Sequence, residues 1–243
     1  MTANDNDAFA LFIRKLDRLA PLEAADRDAV RRLPFRIETV PPDRLLVREG
    51  DEATDRCLLL DGYACRGKAT AGGGRQIVSF HMPGDVLDLQ HLLLSRADHD
   101  LETITGASLA WVPAAELRRL AQRRPAVGEA LWRDTLIDAS VFREWVLNVG
   151  RRDGRARVAH MLCEFAARRE AAGLGSPERF ELPMSHQQIA DATGMTAVHV
   201  NRILHDLAHD GVIVRERRDV EIADWAGMRR IADFDAAYLH AAA

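Results

Sequence analysis

The sequence has almost no lysine. Of its 33 basic residues only Lys15 and Lys68 are lysines, and all the others are arginines. It also lacks a basic excess, because 37 acidic residues give the chain a net charge of −4. Since phosphate contacts favour a basic surface, this sum by itself argues against a nucleic-acid partner. The sum, however, averages over parts of the chain that differ in charge.

Long apolar runs and cysteines are also scarce. There is no run of about 18 apolar residues, so we expect no membrane-spanning helix and no membrane partner. The polar, acidic N-terminus does not have the basic and then apolar order of a signal peptide. Three cysteines in 243 residues are typical of a reducing compartment. Together these absences predict a cytoplasmic protein.

Length and composition favour a globular protein of two domains. The chain is 47% hydrophobic and 29% charged. Residues 8–33 have apolar positions at helical spacing in two segments, which Pro21 separates. From about 35 to 112, short apolar runs alternate with turn sequences, which predicts a small antiparallel barrel or sandwich. The clearest strands are expected at 57–60, 63–65, 76–80 and 109–112, with a short helix within 87–94.

The segment from 127 to 149 predicts one long helix. Its apolar residues cover more than one face, and such a helix must be buried on more than one side. One face can pack on the barrel and another on a second copy of the chain, so we expect a homodimer. The residues expected on this dimer helix are Leu131, Leu136, Phe142, Trp145 and Val149.

The strongest local motif lies in the C-terminal third. Ser185 and Thr196 are each placed to cap the start of a helix. Ala190 suits a close helix crossing, Gly194 suits a sharp turn, and Val200 is expected to point inward. This Ala-x3-Gly-x5-Val spacing predicts a helix-turn-helix. A buried helical hairpin is the alternative, but two short strands at 211–215 and 220–222 predict a β-hairpin wing and favour the DNA-binding motif.

The outward face of the second helix carries side chains that can read bases. Arg202 can donate two hydrogen bonds to guanine, Asn201 can bond adenine, and Ala197 or Val198 can contact a thymine methyl group. The other residues expected at the DNA, from the helix pair and the tip of the wing, are His186, Gln187, Thr196, His199, His205, Arg217 and Arg218.

These motifs resemble those of the Crp/Fnr transcription regulators, and the resemblance covers nearly the whole chain. The segments that carry it are Glu49-Gly50-Asp51, Leu60-Asp61-Gly62, Gly74-Arg75-Gln76-Ile77, Pro83-Gly84-Asp85 and the helix-turn-helix. The resemblance implies an α+β fold: an N-terminal antiparallel β-roll, a long dimerisation helix and a C-terminal winged helix-turn-helix. It assigns 1–126 to the sensor, 127–150 to the helix and 151–243 to the DNA-binding domain. The implied partners are double-stranded DNA with a two-fold operator, a second copy of the chain and RNA polymerase.

The chain departs from the family at the cyclic-nucleotide site. The cyclic-AMP members place Gly-Glu after the Pro-Gly-Asp turn and Arg-Ser further along. Here Asp88-Leu89 and His99-Asp100 stand at those positions. An aspartate beside the phosphate position repels an anion, so we expect no cyclic AMP in the usual mode and an unidentified small-molecule effector instead. The expected effector pocket consists of Asp88, Leu89, Gln90, His99, Asp100 and Phe142.

Cofactor chemistry has weak support in the sequence. No cysteine precedes Cys57, which argues against the iron–sulfur cluster of the oxygen-sensing members. His81, His91 and His99 could bind a metal or heme, but their spacing matches no short ligand motif, so we expect structural or surface histidines and no metal. Cys57 and Cys65 could face each other as a redox pair, but ordinary core residues are the expectation. No cofactor is predicted.

The prediction is therefore a sequence-specific DNA-binding regulator. One alternative is a sensor that regulates by protein contact and no longer binds DNA, and another is an enzyme built on a barrel pocket. No nucleophile, base and orienting group are visible, so we expect no enzymatic activity. Residues 1–150 carry a net charge of −3, residues 151–218 carry +2, and residues 219–243 carry −3. The expected DNA surface is thus mildly positive, which predicts few phosphate contacts per subunit.

Overall fold

A computed structural model of the chain describes residues 8–52 and 54–240. It has antiparallel sheets, a long central helix and a C-terminal helix-turn-helix, which confirms the predicted α+β fold. None of the described helices is both long enough and apolar enough to cross a bilayer. The chain divides into two compact units. The first comprises the described residues of Met1–Lys68 and Phe80–Asp138, and the second those of Ala69–Ser79 and Ala139–Ala241.

Two short helices open the first unit, as the sequence predicts. They are α1 (Ala10–Leu19) and α2 (Ala24–Arg31). The apolar face of α1 buries Phe12 and Leu16 in a core that continues beneath the sheets. On its other side Lys15 reaches two carboxylates, Asp85 and Asp134, with Nζ 2.8 Å from an oxygen of each.

Among the residues that the structure describes in the N-terminal half, seven strands form two antiparallel sheets. They are β1 (Arg36–Val40), β2 (Leu45–Val47), β3 (Asp55–Asp61), β4 (Ala64–Ala69), β5 (Arg75–His81), β6 (Asp100–Thr103) and β7 (Ala107–Pro113). One sheet has the order β1-β7-β3 and the other the order β2-β6-β4-β5. A short 3-10 helix, Leu89–Leu92, lies inside the segment where a short helix is predicted.

The two cysteines of the sensor belong to different sheets. Cys57 on β3 lies opposite Trp111, whereas Cys65 on β4 lies opposite Glu102. Both side chains are buried. They are therefore not cross-strand neighbours, and the redox-pair alternative loses its geometric basis. Burial raises the pKa of the Cys57 thiol well above its usual range, which keeps it protonated and unreactive.

The long helix is longer than the sequence indicates. After α3 (Ala114–Arg123), the helix α4 covers Pro125–Arg151 and so extends two residues beyond the predicted segment at each end. Its N-terminal part buries Val127 and Leu131 in the core of the first unit. In its C-terminal part Trp145 is buried within the second unit.

The second unit holds the winged motif. Its elements are α5 (Gly154–Ala172), β8 (Arg179–Glu181), α6 (His186–Thr193), α7 (Ala197–His209), β9 (Ile213–Glu216), β10 (Asp219–Ile222) and α8 (Trp225–Ala232). The strands form one antiparallel sheet in the order β8-β10-β9. The sequence analysis missed β8, because a three-residue strand with one buried side chain, Phe180, gives no alternation to detect.

The C-terminal tail packs back on the second unit, as expected, but not as one helix. Asp233 adopts a left-handed backbone conformation (φ 48°), which ends α8 before a 3-10 turn at Ala236–Leu239. The turn brings Tyr238 to Glu164, whose carboxylate accepts a hydrogen bond from the tyrosine hydroxyl at 2.7 Å. The same carboxylate accepts from Trp145 Nε1 at 3.0 Å. The tail therefore helps to fix α4 and α5 together.

A fully buried histidine lies under this tail. His160 contacts the rings of Phe234 and Tyr238, with centroid separations of 5.4 and 5.8 Å. Its Nε2 is 3.2 Å from Glu144 Oε1, but Arg152 contacts the same oxygen at 2.7 Å. Burial, together with the charge of Arg152, lowers the pKa of His160 to about 3. The imidazole is thus neutral in the folded protein.

We expect His160→Gln to reduce the acid sensitivity of the fold. The pKa of His160 is lower in the folded than in the unfolded chain. The contribution of the neutral imidazole to the free energy of unfolding is therefore complete above about pH 6.5 and is lost as the pH falls. Between pH 6.5 and 5 this loss is about 2 kcal/mol. Urea unfolding at several pH values should show a shallower decline for the variant. The exposed histidine variant His205→Gln should decline like the wild type, and equal declines for all three proteins would contradict the prediction.

Candidate DNA-binding site

Local side-chain caps define the two helices of the motif. Ser185 Oγ accepts from the Gln188 backbone N–H at 3.2 Å, and Gln188 Oε1 accepts from the Ser185 N–H at 2.8 Å. This capping box begins α6. Gly194 ends it in a left-handed conformation (φ 67°), and Thr196 Oγ1 caps α7 by accepting from the His199 N–H at 3.3 Å. The predicted helix-turn-helix is confirmed.

The inward face of the pair fixes the orientation of α7. Ala190 of α6 is fully buried at the crossing, as its small size predicts. The inward side chains of α7 are all buried: Val200, Ile203, Leu204 and Leu207. Because these four residues set the rotation of the helix about its axis, they also determine which residues point outward.

The outward face matches the predicted reading surface. Val198 is 81% exposed, and Asn201, Arg202 and His205 are also exposed, whereas Ala197 is half-buried. Within residues 8–52 and 54–240, Arg202 makes no intramolecular hydrogen bond or ion pair. Its five N–H donors are therefore available to an external acceptor.

The environment of His186, which lies at the start of α6 and is expected at the DNA, is set by a neighbouring arginine. His186 is half-buried, and its Nε2 lies 3.2 Å from Arg215 Nη2 on β9. Burial and the arginine charge lower the pKa of His186, so it is neutral at physiological pH and does not add positive charge. Arg215 brings the cation to this position instead. Arg215 is not among the residues predicted at the DNA, although its position on the predicted wing strand could have indicated it.

The wing presents two arginines at its tip. Glu216 on β9 pairs with Asp219 on β10, so Arg217 and Arg218 form a two-residue turn between the strands. Arg217 adopts a left-handed conformation (φ 56°), and both side chains are exposed. The backbone oxygen of Arg218 accepts from the Leu182 N–H at 2.8 Å, which ties the tip to the loop before α6.

Side chains from other segments hold the turn of the motif. Arg157 on α5 donates from Nη1 to the Thr193 carbonyl at 3.2 Å and from Nε to the Arg152 carbonyl at 2.8 Å. Gln76 donates from Nε2 to the Ala192 carbonyl at 3.1 Å. The last carbonyls of α6 would otherwise have no partner in the helix, so these contacts satisfy them and fix the turn.

Comparison with known proteins gives a consistent result. Residues 37–124 match the model of the cyclic nucleotide-binding domain, and residues 156–231 match that of the Crp-like helix-turn-helix domain. The chain is 28% identical over 194 residues to the transcriptional activator FnrL of Cereibacter sphaeroides, covering 78% of this chain and 77% of the relative. The chain belongs to the Crp/Fnr family. It is a Crp/Fnr-type transcription regulator with a DNA-binding helix-turn-helix.

Two further relatives support the same placement in the Crp/Fnr family. The nitrogen fixation regulation protein FixK of Bradyrhizobium diazoefficiens is 28% identical over 184 residues, which is 76% of each chain. The structure of FixK2 from Bradyrhizobium japonicum superposes with a TM-score of 0.75 at 25% identity, covering 84% of this chain and all of that one.

The residues expected to line the Crp/Fnr effector pocket are dispersed. Asp88 is fully buried, with Oδ2 3.0 Å from Arg56 Nη1 and Oδ1 3.2 Å from the Cys57 backbone nitrogen. Leu89 is part of the apolar core. Asp100 Oδ1 accepts from the Glu49 backbone N–H at 2.7 Å.

The other members of that set lie elsewhere. Gln90 and His99 contact each other, with 3.3 Å between Gln90 Nε2 and His99 Nε2. Phe142 is 41% exposed on the part of α4 that belongs to the second unit. Asp88, Leu89 and His99 are thus buried, Gln90 and Asp100 are half-buried, and Phe142 is exposed. That they bind an effector stays a prediction.

The expected dimer-helix residues fall into two groups. Leu131 and Trp145 are buried against their own chain, so they are not available to a partner. Leu136 is 54% exposed, and Phe142 is also exposed, while Val149 is half-buried. The apolar sequence of α4 could not separate these groups, because both faces of a doubly packed helix are apolar.

Proposed function

We propose that the chain acts as a homodimer that binds a specific, two-fold DNA sequence through α7. The observation that carries the proposal is the exposure of Asn201 and Arg202 on the outward face of this helix. The N-terminal cap and the buried inward side chains of the helix hold that face in place. Asparagine and arginine supply the bidentate contacts that distinguish adenine and guanine in the major groove. Arg215, Arg217 and Arg218 place positive charge on the adjoining wing, where it can reach phosphates.

Dimerisation is supported by an exposed apolar stripe on α4. Its members recur at spacings of three and four residues, as in a coiled-coil seam. They are Trp132, Leu136, Ala139 and Val146, with Arg143 at the intervening seam position. Trp132 is 69% exposed and Val146 61% exposed, values that are unfavourable in an isolated chain. A second copy of α4 packed along the stripe would bury them.

We expect Leu136→Glu to convert the dimer to a monomer. The substitution places a charge in the centre of the proposed seam, where burial without a partner is costly. Because Leu136 is exposed in the single chain, its fold should remain intact. Sedimentation equilibrium at micromolar concentration measures the change. Leu93→Glu is the matched control, since Leu93 is also an exposed leucine, at 82%, and lies outside α4. A Leu136→Glu protein with the mass of the wild-type dimer would refute the seam.

The proposal includes a sensor that does not use cyclic AMP in the usual mode. Arg56 and Asp88 neutralise each other inside the first unit, and His99 and Asp100 provide no arginine for a cyclic phosphate. Equilibrium dialysis with cyclic AMP should therefore show no saturable binding. The resemblance also supports contact with RNA polymerase and a purely regulatory role, without enzymatic activity.

Selection from random double-stranded DNA tests the proposed function. Enriched sequences should contain two inverted half-sites whose centres lie about 34 Å apart, one turn of the double helix. The dependence of affinity on salt should be shallow, because few cations face the DNA. No enrichment at low salt would reject the proposal and favour regulation by protein contact. Enrichment of a single half-site would reject the homodimer alone.

A further inference from the structure

Two buried histidines and an exposed aspartate converge at one edge of the first unit. His91 lies within the 3-10 helix Leu89–Leu92 and His99 directly precedes β6, with their rings stacked at a centroid distance of 5.1 Å. Asp98 Oδ1 lies 2.6 Å from His99 Nδ1 and 3.6 Å from His91 Nε2. One ligand atom from each of the three residues falls within 4.8 Å of the others.

The nitrogen atoms of this cluster are arranged as metal ligands commonly are. Both imidazole side chains are only 5% exposed, and His91 Nε2 is buried without a hydrogen-bond partner among the described residues. An unsatisfied buried nitrogen is unfavourable unless something else occupies its lone pair. On the opposite side of His99, the Gln90 side-chain amide contacts Nε2 and can orient the ring with Nδ1 toward Asp98.

We propose that His91, Asp98 and His99 bind a first-row divalent metal ion such as Zn²⁺. Two imidazole nitrogens and one carboxylate oxygen are the donor set that such ions prefer over Mg²⁺ or Ca²⁺. None of the three residues belongs to the proposed DNA-binding surface, and nothing in the proposed function requires the site.

Two of the three ligand separations suit this ion after a small movement of Asp98, and the third, between the two rings, is within 4.8 Å. Ligand atoms around a tetrahedral Zn²⁺ are about 3.3 Å apart when each is about 2.0–2.1 Å from the metal. The 3.6 Å separation of His91 and Asp98 already fits, and the 2.6 Å contact of Asp98 with His99 must open by less than 1 Å. Asp98 has the freedom to open it, because its side chain is 70% exposed. This exposure also gives the ion a path from solvent and leaves a coordination position for water.

The electrostatics are compatible with a cation. Burial lowers the pKa of both His91 and His99, the latter to about 4, so both rings are neutral at physiological pH. A neutral ring offers one lone pair, and His99 presents it from Nδ1 when its single proton lies on Nε2. The nearby Arg66 does not act as an uncompensated charge, since its Nη1 pairs with Asp138 at 2.7 Å.

Other histidines set the controls for a binding experiment. His81 is not a member of the cluster, and its Nδ1 lies 3.5 Å from Asp85 Oδ2. His205 and His209 are exposed on α7 and separated by one helical turn, an arrangement that can bind metal ions weakly at a surface. Any measured binding must therefore be assigned by substitution.

The experiment is Zn²⁺ titration of the tag-free, full-length, metal-stripped protein in competition with a chromophoric chelator. We expect one Zn²⁺ per chain with an affinity above that of the surface pair. Asp98→Asn and His91→Gln should each weaken binding at least tenfold, while the exposed-carboxylate control Asp61→Asn and the surface control His205→Ala should leave it unchanged. Because Asp98 is exposed, its variant should fold normally, and circular dichroism verifies this.

Cobalt substitution provides a second readout that does not depend on stability. Co²⁺ in the wild-type protein should give the visible absorption of a tetrahedral or five-coordinate site, and Asp98→Asn should lose that signal. Stoichiometric binding that survives both Asp98→Asn and His91→Gln would overturn the proposal, and so would binding lost in His205→Ala alone. No binding above the level of the Asp98→Asn protein would also overturn it.

Discussion

Replacing Asp88 by alanine should lower the free energy of unfolding by about 3–5 kcal/mol. Asp88 is fully buried and Arg56 is 2% exposed, and their charged groups lie 3.0 Å apart. Burial raises the pKa of Asp88, and the charge of Arg56 is the largest influence that opposes this rise. Removing the carboxylate leaves the guanidinium charge in the interior without this compensation. Urea unfolding of the wild type and the variant at pH 7.5 gives the difference.

The double substitution Arg56→Met with Asp88→Leu is the informative control. Replacing a buried ion pair by apolar side chains of similar volume is often neutral or stabilising, because the desolvation cost of both charges disappears. We expect the double variant to recover most of the stability that Asp88→Ala loses. Asp88→Asn should fall between them, since it keeps an acceptor for the Cys57 backbone N–H. If Asp88→Ala and Asp61→Asn destabilise the protein equally, the ion pair contributes nothing specific.

Substituting Arg202 by alanine should abolish most of the sequence preference of DNA binding. A bidentate arginine contact discriminates against the wrong base by about 1–3 kcal/mol, and a homodimer contains two. The expected loss is therefore about 2–6 kcal/mol for the selected site, or at least about thirtyfold in affinity. Fluorescence anisotropy with the selected duplex and with a scrambled duplex measures the affinity for each, and their ratio gives the sequence preference. Binding to the scrambled duplex should change little.

Two arginine variants make this test specific. Arg230→Ala removes an exposed arginine from α8 and should leave both affinities unchanged. Arg217→Ala at the wing tip should weaken binding to both duplexes alike and reduce the salt slope by about two, one for each subunit. If Arg202→Ala behaves like Arg217→Ala, then Arg202 contacts phosphate and the bases are read by other residues. If it behaves like Arg230→Ala, α7 is not the reading helix.

The parts of the fold that could be predicted are those with local causes. Ser185 and Thr196 cap their helices through hydrogen bonds that span three residues, and Gly194 adopts the left-handed conformation that its residue type favours. These signals are complete within a short stretch of sequence. The helix-turn-helix and its wing were therefore predictable residue by residue.

The environments that depend on distant residues could not be predicted. Asp88 was expected at a ligand pocket, but its surroundings depend on Arg56, 32 positions earlier. His186 was expected at the DNA, but burial and the charge of Arg215, which approaches from β9, lower its pKa. In both cases the neighbouring residue could not be predicted, because tertiary contacts between distant positions leave no periodic pattern in the sequence.

The division of α4 into inner and outer apolar residues had the same cause. Leu131 and Leu136 are the same residue type on the same helix, yet one is buried in the core and the other is 54% exposed. Only the packing of α4 against its own chain distinguishes them. Once that packing is known, the spacing of the exposed residues supports the proposed seam, whose position the sequence alone left open.

Two hydrogen bonds of Arg157 connect the segment between α4 and α5 to the turn of the helix-turn-helix. Its guanidinium donates both to the Arg152 carbonyl, just past the end of α4, and to the Thr193 carbonyl, at the turn between α6 and α7. A helix of 27 residues is about 40 Å long. A tilt of about 5° about one end of such a rod moves the other by about 3.5 Å. Because Arg157 links the residue after α4 to this turn, a displacement of the C-terminal end of α4 would also act on the turn between α6 and α7.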